Sequence, residues 1–136
     1  ILLGQDFAQG KVSCFSEVQE KMAAKILHAG YAPSLPEYYR LLSQGDIVVS
    51  TAHHEFFGMA VIEAVRAGCV PLLPERLAYP ELFPAKYLYQ GENPATKLAE
   101  VITAYPGPSR SRAQRLTARF SWARLAPDYS AWLDLH

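Results

Sequence analysis

Two acidic side chains, Glu55 and Glu63, stand on either side of a glycine at position 58 in this chain of 136 residues. A glycine that opens a helix lets another group approach the backbone closely. The first N–H groups of a helix have no partner within it, and the helix dipole adds positive charge there, so this end favours phosphate. We therefore predict that the backbone of Gly58, Met59 and Ala60 seats a phosphate group. The alternative is that Gly58 is only a turn glycine.

The elements that position these residues are a strand and a helix. Residues 46–50 are mostly β-branched and apolar, as in a strand that is covered on both faces. The helix after Gly58 is apolar all round except for Glu63 and Arg66, which predicts a buried helix. A buried carboxylate is costly unless it is satisfied. Glu63 therefore binds either a ligand or neighbouring loop N–H groups.

The spacing of Glu55 and Glu63 resembles the E-x7-E signature of the group-1 retaining glycosyltransferases, which have the GT-B fold. The resemblance implies that Glu63 accepts the ribose hydroxyls of a nucleotide sugar. It implies that Glu55 binds hydroxyls of the donor sugar or stabilises its developing charge, and that His54 lies near the sugar and the leaving group. By default Glu55 is a solvated loop residue, and we expect His53 to pack or to face water.

A narrower resemblance is to the tRNA-queuosine α-mannosyltransferases. It rests on four blocks of sequence: His28–Tyr31, Asp46–Gly58, Cys69–Pro84 and Tyr87–Tyr89. It implies transfer of mannose from GDP-mannose to queuosine in tRNA, with no bound metal and no cofactor besides the donor. The family also carries an Arg with a nearby Lys on an earlier strand and loop. We expect this chain to begin one strand later, and Lys11 lies too far along to replace them.

Tyr31 and Ala32 follow another short apolar run, residues 26–31. Open α/β sheets bind ligands at the carboxyl ends of their strands. These two residues are therefore predicted to hold the nucleobase by stacking and backbone hydrogen bonds. A core position is the alternative for Tyr31.

Strand and helix patterns alternate along the chain, which predicts an α/β fold with a Rossmann-like parallel sheet flanked by helices. Helices are expected from Ser16, Ser34 and Asn93, each of which can cap a first turn. We predict one nucleotide-sugar-binding domain over residues 1–136, the carboxy-terminal half of a longer enzyme, with a helical tail over 109–136. Pro127 is expected to break or kink that tail.

Composition excludes some functions. The formal net charge is +0, which argues against a general electrostatic grip on nucleic acid. We expect no targeting segment. The sequence contains no apolar run of membrane-spanning length, and its two cysteines, Cys14 and Cys69, lack metal or redox spacing. We therefore predict a cytoplasmic protein with two reduced thiols and no metal, since adjacent His53 and His54 need further ligands to hold one.

The tail concentrates basic charge. Five arginines lie there: Arg110, Arg112, Arg115, Arg119 and Arg124. They could contact a tRNA backbone. A solvated helix face, or docking against an amino-terminal domain, is the alternative.

Two other functions stay open. The donor half could serve a glycosyltransferase that acts on a lipid or a glycan. The chain could also be a non-catalytic nucleotide-binding module, although the presence of both Glu55 and Glu63 argues against a decayed site.

Overall fold

Parallel β-strands alternate with helices in the computed structural model, which describes residues 1–3, 20–107 and 109–134. The chain divides into two units, residues 1–44 and 45–136. The predicted α/β class with parallel sheets is confirmed. The single domain, the missing first strand and the separate tail stay predictions.

The first unit holds a two-stranded parallel sheet. Strand β1 (Leu2–Leu3) pairs with β2 (Ala29–Gly30), and Leu2 lies beside Ala29. Before β2, residues 20–22 are helical and lead into a 3-10 turn at Ala23–Lys25. The predicted cap at Ser16, together with Lys11 and Cys14, lies outside the described residues.

Helix α1 (Leu35–Leu42) completes the first unit. The Ser34 hydroxyl accepts the Glu37 N–H at 3.3 Å, so the predicted cap is confirmed. Leu41 and Leu42 are its buried residues.

The second unit is built on a three-stranded parallel sheet in the order β3-β4-β5. Its strands are β3 (Ile47–Val49), β4 (Val70–Pro74) and β5 (Leu88–Tyr89). Its helices are α2 (Met59–Ala67), α3 (Tyr79–Leu82), α4 (Ala95–Thr103), α5 (Arg110–Thr117) and α6 (Trp122–Leu133). Two 3-10 turns, Ala85–Tyr87 and Ala118–Phe120, lie between them.

Two prolines stand in the central strand β4, where a missing N–H is normally costly. Pro71 is in register with β3, and β5 pairs only from Leu73 onward. Pro74 is in register with β5, beyond the last residue that β3 pairs. Each proline therefore stands where β4 has a neighbouring strand on one side only, which is where a strand tolerates a missing N–H.

The core of the second unit lies between α2, the sheet and α3. It consists of Val61, Ile62, Val65, Leu73, Tyr79, Phe83 and Leu88, with Leu116 and Phe120 packed against it. Helix α5 packs closely on α2. The core thereby holds α2 against the sheet and against the segment that follows the carboxyl end of β4.

Helix α2 is not buried all round, so this prediction is wrong. Met59 is 55% exposed, Ala60 and Arg66 are exposed, and Glu63 is half-buried. Alanine carries little apolar area and fits either face, so the run of small residues did not indicate which face packs.

The helical spacing of Leu98, Val101 and Ile102 predicts that they face inward on α4, but Ile102 is 59% exposed, so this prediction is wrong for Ile102. Pro127 lies inside the continuous helix α6, so the predicted break is wrong, and the predicted kink stays a prediction. A proline removes one helical hydrogen bond, and the neighbouring turns of α6 maintain the helix around that loss.

Among the described residues, no helix has both the length and the apolar character needed to span a membrane. Cys69 is buried and carries a thiol group.

Candidate functional site

The loop of residues 50–58 leads from the carboxyl end of β3 to the first turn of α2. Gly58, its last residue, is buried and has the left-handed conformation, with φ +78°. A Cβ at this position would lie 3.0 Å from Cδ1 of Leu82 and 3.4 Å from Cε1 of Tyr79. Both the backbone angle and the close neighbours therefore require glycine here.

The Glu55 carboxylate binds the backbone of its own loop. Oε1 of Glu55 accepts the N–H of Phe57 at 3.1 Å and the N–H of Gly58 at 2.7 Å. Glu55 is half-buried rather than fully solvated. One of the three backbone donors predicted for phosphate, the N–H of Gly58, is thus bound to Glu55 in this structure. Within the described part of the chain, Oε2 of Glu55 accepts no hydrogen bond.

The next two predicted donors are Met59 and Ala60. The first backbone bond of α2 runs from the Ile62 N–H to the Gly58 carbonyl at 3.0 Å. In the described ranges, neither the Met59 nor the Ala60 N–H is bonded, and both residues are exposed. The end of α2 therefore presents two donors to solvent, in the region where the helix dipole favours an anion.

Glu63 lies one turn further along α2. Residues four apart in a helix share a face, so Glu63 is on the same side as Met59. That side is the exposed face of the helix. The structure therefore brings Glu55, Gly58, Met59, Ala60 and Glu63 together around the first two turns of α2.

The two histidines of the loop are both exposed. His53 faces water, as expected, with its Nε2 atom 3.7 Å from a carboxylate oxygen of Glu92. His54 immediately precedes Glu55, and its role near a sugar stays a prediction.

Three side chains that the sequence did not single out hold the start of the loop. The Tyr79 hydroxyl is 2.8 Å from Oγ of Ser50, and Oγ of Ser50 also accepts the Ala52 N–H at 3.2 Å. The Tyr89 hydroxyl donates to the Ser50 carbonyl at 2.9 Å. Burial raises the pKa of both tyrosines, so their hydroxyls stay protonated at neutral pH. Tyr79 and Tyr89 stand in blocks that carry the family resemblance, but sequence alone did not indicate Ser50 as their partner.

Arg76 supports the same loop from the end of β4. Its Nε atom donates to the Ala52 carbonyl at 3.3 Å, and its Nη1 atom donates to Glu92 at 2.7 Å. This hydrogen bond from Arg76 lowers the pKa of Glu92. A cation beside a loop glutamate is a common surface pattern, so sequence alone gave no reason to select Arg76.

Tyr31 and Ala32 belong to the first unit, directly after β2. Tyr31 is 71% exposed, so the alternative of a core position is excluded. Ala32 is half-buried. Their contact with a nucleobase stays a prediction.

Two tail arginines bind backbone carbonyls. Arg112 donates through Nη2 to Gly107 at 2.9 Å and to Gly68 at 3.5 Å. Arg119 donates through Nη2 to Glu81 at 2.6 Å and to Leu82 at 2.8 Å. These two guanidinium groups therefore join the tail to the ends of α2 and α3.

The described residues contain no group of three His, Cys, Asp or Glu side chains placed to hold a metal ion. Glu55 and His54, the two side chains predicted to be catalytic, lie next to each other on the loop before α2, and their catalytic role stays a prediction.

Comparison with known proteins extends this picture. Over 127 residues, 90% of its length, the chain is 38% identical to the tRNA-queuosine alpha-mannosyltransferase of Drosophila melanogaster. The chain is similar to known mannosyltransferases. Over 75 residues, 55% of its length, it is 25% identical to the GDP-mannose:cellobiosyl-diphosphopolyprenol alpha-mannosyltransferase of Xanthomonas campestris. The glycosyltransferase resemblance predicted from the sequence is confirmed.

The matched part covers 33% of the Drosophila mannosyltransferase and 20% of the Xanthomonas mannosyltransferase. A match over 90% of this chain cannot leave out the central residues 46–68, so the loop and α2 fall within the similarity to the Drosophila enzyme. No family model matches the chain, and no solved structure matches it.

Proposed function

We propose that this chain is the donor-binding part of a retaining glycosyltransferase, and that the complete protein transfers mannose from GDP-mannose to queuosine in tRNA. The observation that carries the proposal is the 38% identity over 90% of the chain to the Drosophila tRNA-queuosine alpha-mannosyltransferase. The GDP-mannose donor named for the Xanthomonas relative supports the same donor.

The geometry of α2 supports a role in leaving-group stabilisation. When a glycosyl–phosphate bond breaks, positive charge builds on the sugar and negative charge on the diphosphate. Donors that are already oriented toward the developing charge stabilise the transition state. In our proposal the N–H groups of Met59 and Ala60 bind the diphosphate, which needs no rearrangement of the loop.

Carboxylates take the other two roles. Glu63, on the exposed face of α2, accepts the ribose hydroxyls. Glu55 has one oxygen occupied by the loop backbone. Its second oxygen is left to bind sugar hydroxyls, with His54 beside the sugar.

Transfer to a defined acceptor tests the proposal. The complete protein is incubated with GDP-mannose or UDP-sugars and with tRNA that either contains queuosine or lacks it. We expect mannose transfer only from GDP-mannose and only to the queuosine-containing tRNA. Absence of transfer to that tRNA would exclude this acceptor. Calorimetry with GDP, UDP and ADP tests the nucleobase separately, and we expect GDP to bind most tightly.

A lipid-linked acceptor is the second candidate, since the Xanthomonas relative is named for a cellobiosyl-diphosphopolyprenol acceptor. A polyprenol-linked disaccharide in the same assay separates the two. Transfer to this lipid with none to tRNA would establish the second candidate.

A non-catalytic nucleotide-binding module is tested by Glu63→Gln in the complete protein. We expect weaker donor binding because an amide carbonyl accepts ribose hydroxyls less strongly than a carboxylate. The matched control is Glu100→Gln on α4, where an exposed glutamate pairs with Lys97 at 2.8 Å. Unchanged donor affinity and turnover in Glu63→Gln would favour the non-catalytic module.

A further inference from the structure

Tyr79 connects the two ends of the loop that carries His54 and Glu55. The residue is 1% exposed and belongs to the core that packs against α2. Its hydroxyl lies 2.8 Å from Oγ of Ser50, where the loop leaves β3. Its ring lies beside Gly58, where the loop enters α2. One buried side chain therefore contacts both ends of the segment.

The hydroxyl of Ser50 connects the Tyr79 hydroxyl to the backbone of the loop. It accepts the N–H of Ala52, and the Ser50 carbonyl accepts the hydroxyl of Tyr89. Residue 50 is thus fixed through its side chain and its main chain, and a loss of the Tyr79 hydroxyl removes one of these constraints. The loop between the anchors is more exposed, with Phe56 95% exposed.

We propose that Tyr79 is a positioning residue, which uses its hydroxyl on Ser50 and its ring beneath Gly58 to set the place of Glu55 relative to the first turn of α2. The inference rests on the proposed glycosyl transfer. Tyr79 itself touches neither sugar nor nucleotide in this arrangement and acts through the loop.

The electrostatics agree with this placement. The negative charge of Glu55 contributes to the raised pKa of Tyr79, after the larger effect of burial. The hydroxyl of Tyr79 is therefore close enough to the carboxylate to sense it.

Tyr79→Phe in the complete protein removes the hydroxyl and keeps the ring. We expect kcat for mannose transfer to fall about tenfold, because a displaced reacting group lowers the rate strongly. The affinity for GDP, which lacks the sugar, is expected to stay within about twofold. If Tyr79 had only a structural role, Tyr79→Phe would lower kcat, the affinity for GDP and the melting temperature together.

The matched control is Tyr105→Phe. The Tyr105 hydroxyl donates to Asp46 at 2.7 Å, just before β3, at the opposite end of that strand from the loop. This variant loses a comparable hydrogen bond in the same unit, and we expect kcat to be unchanged.

Ser50→Ala breaks the same hydrogen bond from the other side and leaves the core ring in place. We expect the double variant, Ser50→Ala with Tyr79→Phe, to have the same kcat as Ser50→Ala alone. Without the Ser50 hydroxyl, the Tyr79 hydroxyl no longer has this hydrogen bond to lose. Independent, multiplying losses would overturn the inference.

Amide hydrogen exchange separates this inference from the proposed function, since it needs no catalysis. We expect Tyr79→Phe to raise exchange rates in residues 51–57 and not in α4. Unchanged exchange in the loop, or an active protein in which Tyr79→Phe keeps the wild-type kcat, overturns the positioning role and leaves the glycosyltransferase intact. A protein that transfers no sugar overturns the proposed function, and the exchange experiment still decides whether Tyr79 holds the loop.

Discussion

Helix α2 has a glycine at each end, but its two ends are completed in different ways. At the carboxyl end, the Gly68 N–H donates to the carbonyls of Ala64 at 3.2 Å and Val65 at 3.1 Å. The Gly68 carbonyl in turn accepts Arg112 of helix α5 at 3.5 Å. At the amino end, the Glu55 side chain binds the loop just outside the helix, and the N–H groups of Met59 and Ala60 face solvent.

This difference indicates which end is structural and which is available to a ligand. Terminal groups of a helix need partners from outside the helix. The protein supplies those partners at the carboxyl end and leaves the first-turn donors to an external acceptor at the amino end. The dipole has the same magnitude at both ends, so partner supply, not dipole strength, distinguishes them.

Gly58→Ala has the largest expected effect. A left-handed non-glycine residue costs about 1–2 kcal/mol, and the Cβ placed 3.0 Å from Leu82 adds about 1–3 kcal/mol of overpacking. We also expect donor binding to be lost, since the first turn of α2 must shift. Urea unfolding and calorimetry with GDP measure the two effects.

Gly91→Ala is the control for Gly58→Ala. Gly91 has nearly the same φ, +77°, and a Cβ there meets no atom within 4 Å. It therefore shows the backbone strain alone and leaves donor binding intact. Equal destabilisation of the two variants would contradict the role of the Leu82 and Tyr79 contacts.

Glu55 is the next test, because its carboxylate has both a capping contact and a proposed sugar contact. Glu55→Ala removes the acceptor of two N–H groups, and we expect a loss of about 1 kcal/mol in the free energy of unfolding. Glu55→Gln keeps a carbonyl oxygen for those N–H groups, so its stability should stay near wild type while mannose transfer falls.

Paired urea unfolding and kcat measurements on the two Glu55 variants separate these roles. If Glu55→Gln transfers mannose as fast as the wild type, Glu55 is only a cap of the loop. That result would leave the proposed site without a carboxylate that binds the sugar.

Arg112→Ala addresses the opposite end of α2. Loss of its hydrogen bonds to Gly107 and Gly68 should lower the free energy of unfolding by about 1 kcal/mol. Donor affinity should not change, since the amino end is untouched. Arg110→Ala, at an exposed position of the same helix, is the control and should be neutral. A loss of GDP affinity in Arg112→Ala would break the separation between the two ends.

Much of the amino end of α2 could be predicted from sequence. Glycine before an apolar run, with glutamates at positions 55 and 63, indicated a helix start with acidic groups around it, and the structure places Glu55, Gly58 and Met59 there. Local signals of this kind depend on neighbours in sequence, so periodicity and capping rules detect them.

The supporting contacts could not be predicted. Ser50 and Tyr79 are 29 residues apart, and Arg76 reaches Ala52 over 24 residues. Such pairs depend on how β3 and β4 register, which the pattern of apolar residues does not specify for individual side chains. The exposed face of α2 was missed for a related reason, because small apolar residues at positions 60 and 67 fit either a packed or an open face.

Cys69→Ala, next to the carboxyl end of α2, has the smallest expected effect. Its Sγ–H donates to the Gly45 carbonyl at 3.2 Å, and burial, with a smaller contribution from Asp46, raises the pKa of the thiol. A group whose folded pKa lies above its unfolded value stabilises the fold fully below the unfolded pKa, about 8.5 for cysteine. This contribution is lost as pH rises through the folded pKa, because a thiolate has no proton to donate.

Urea unfolding at pH 7.5 and pH 9.5 should therefore show the wild type losing more stability than Cys69→Ala, by less than about 1 kcal/mol. If both proteins lose the same free energy of unfolding, the thiol does not stabilise the carboxyl end of α2. In that case Gly68 and Arg112 alone supply the partners of this helix end.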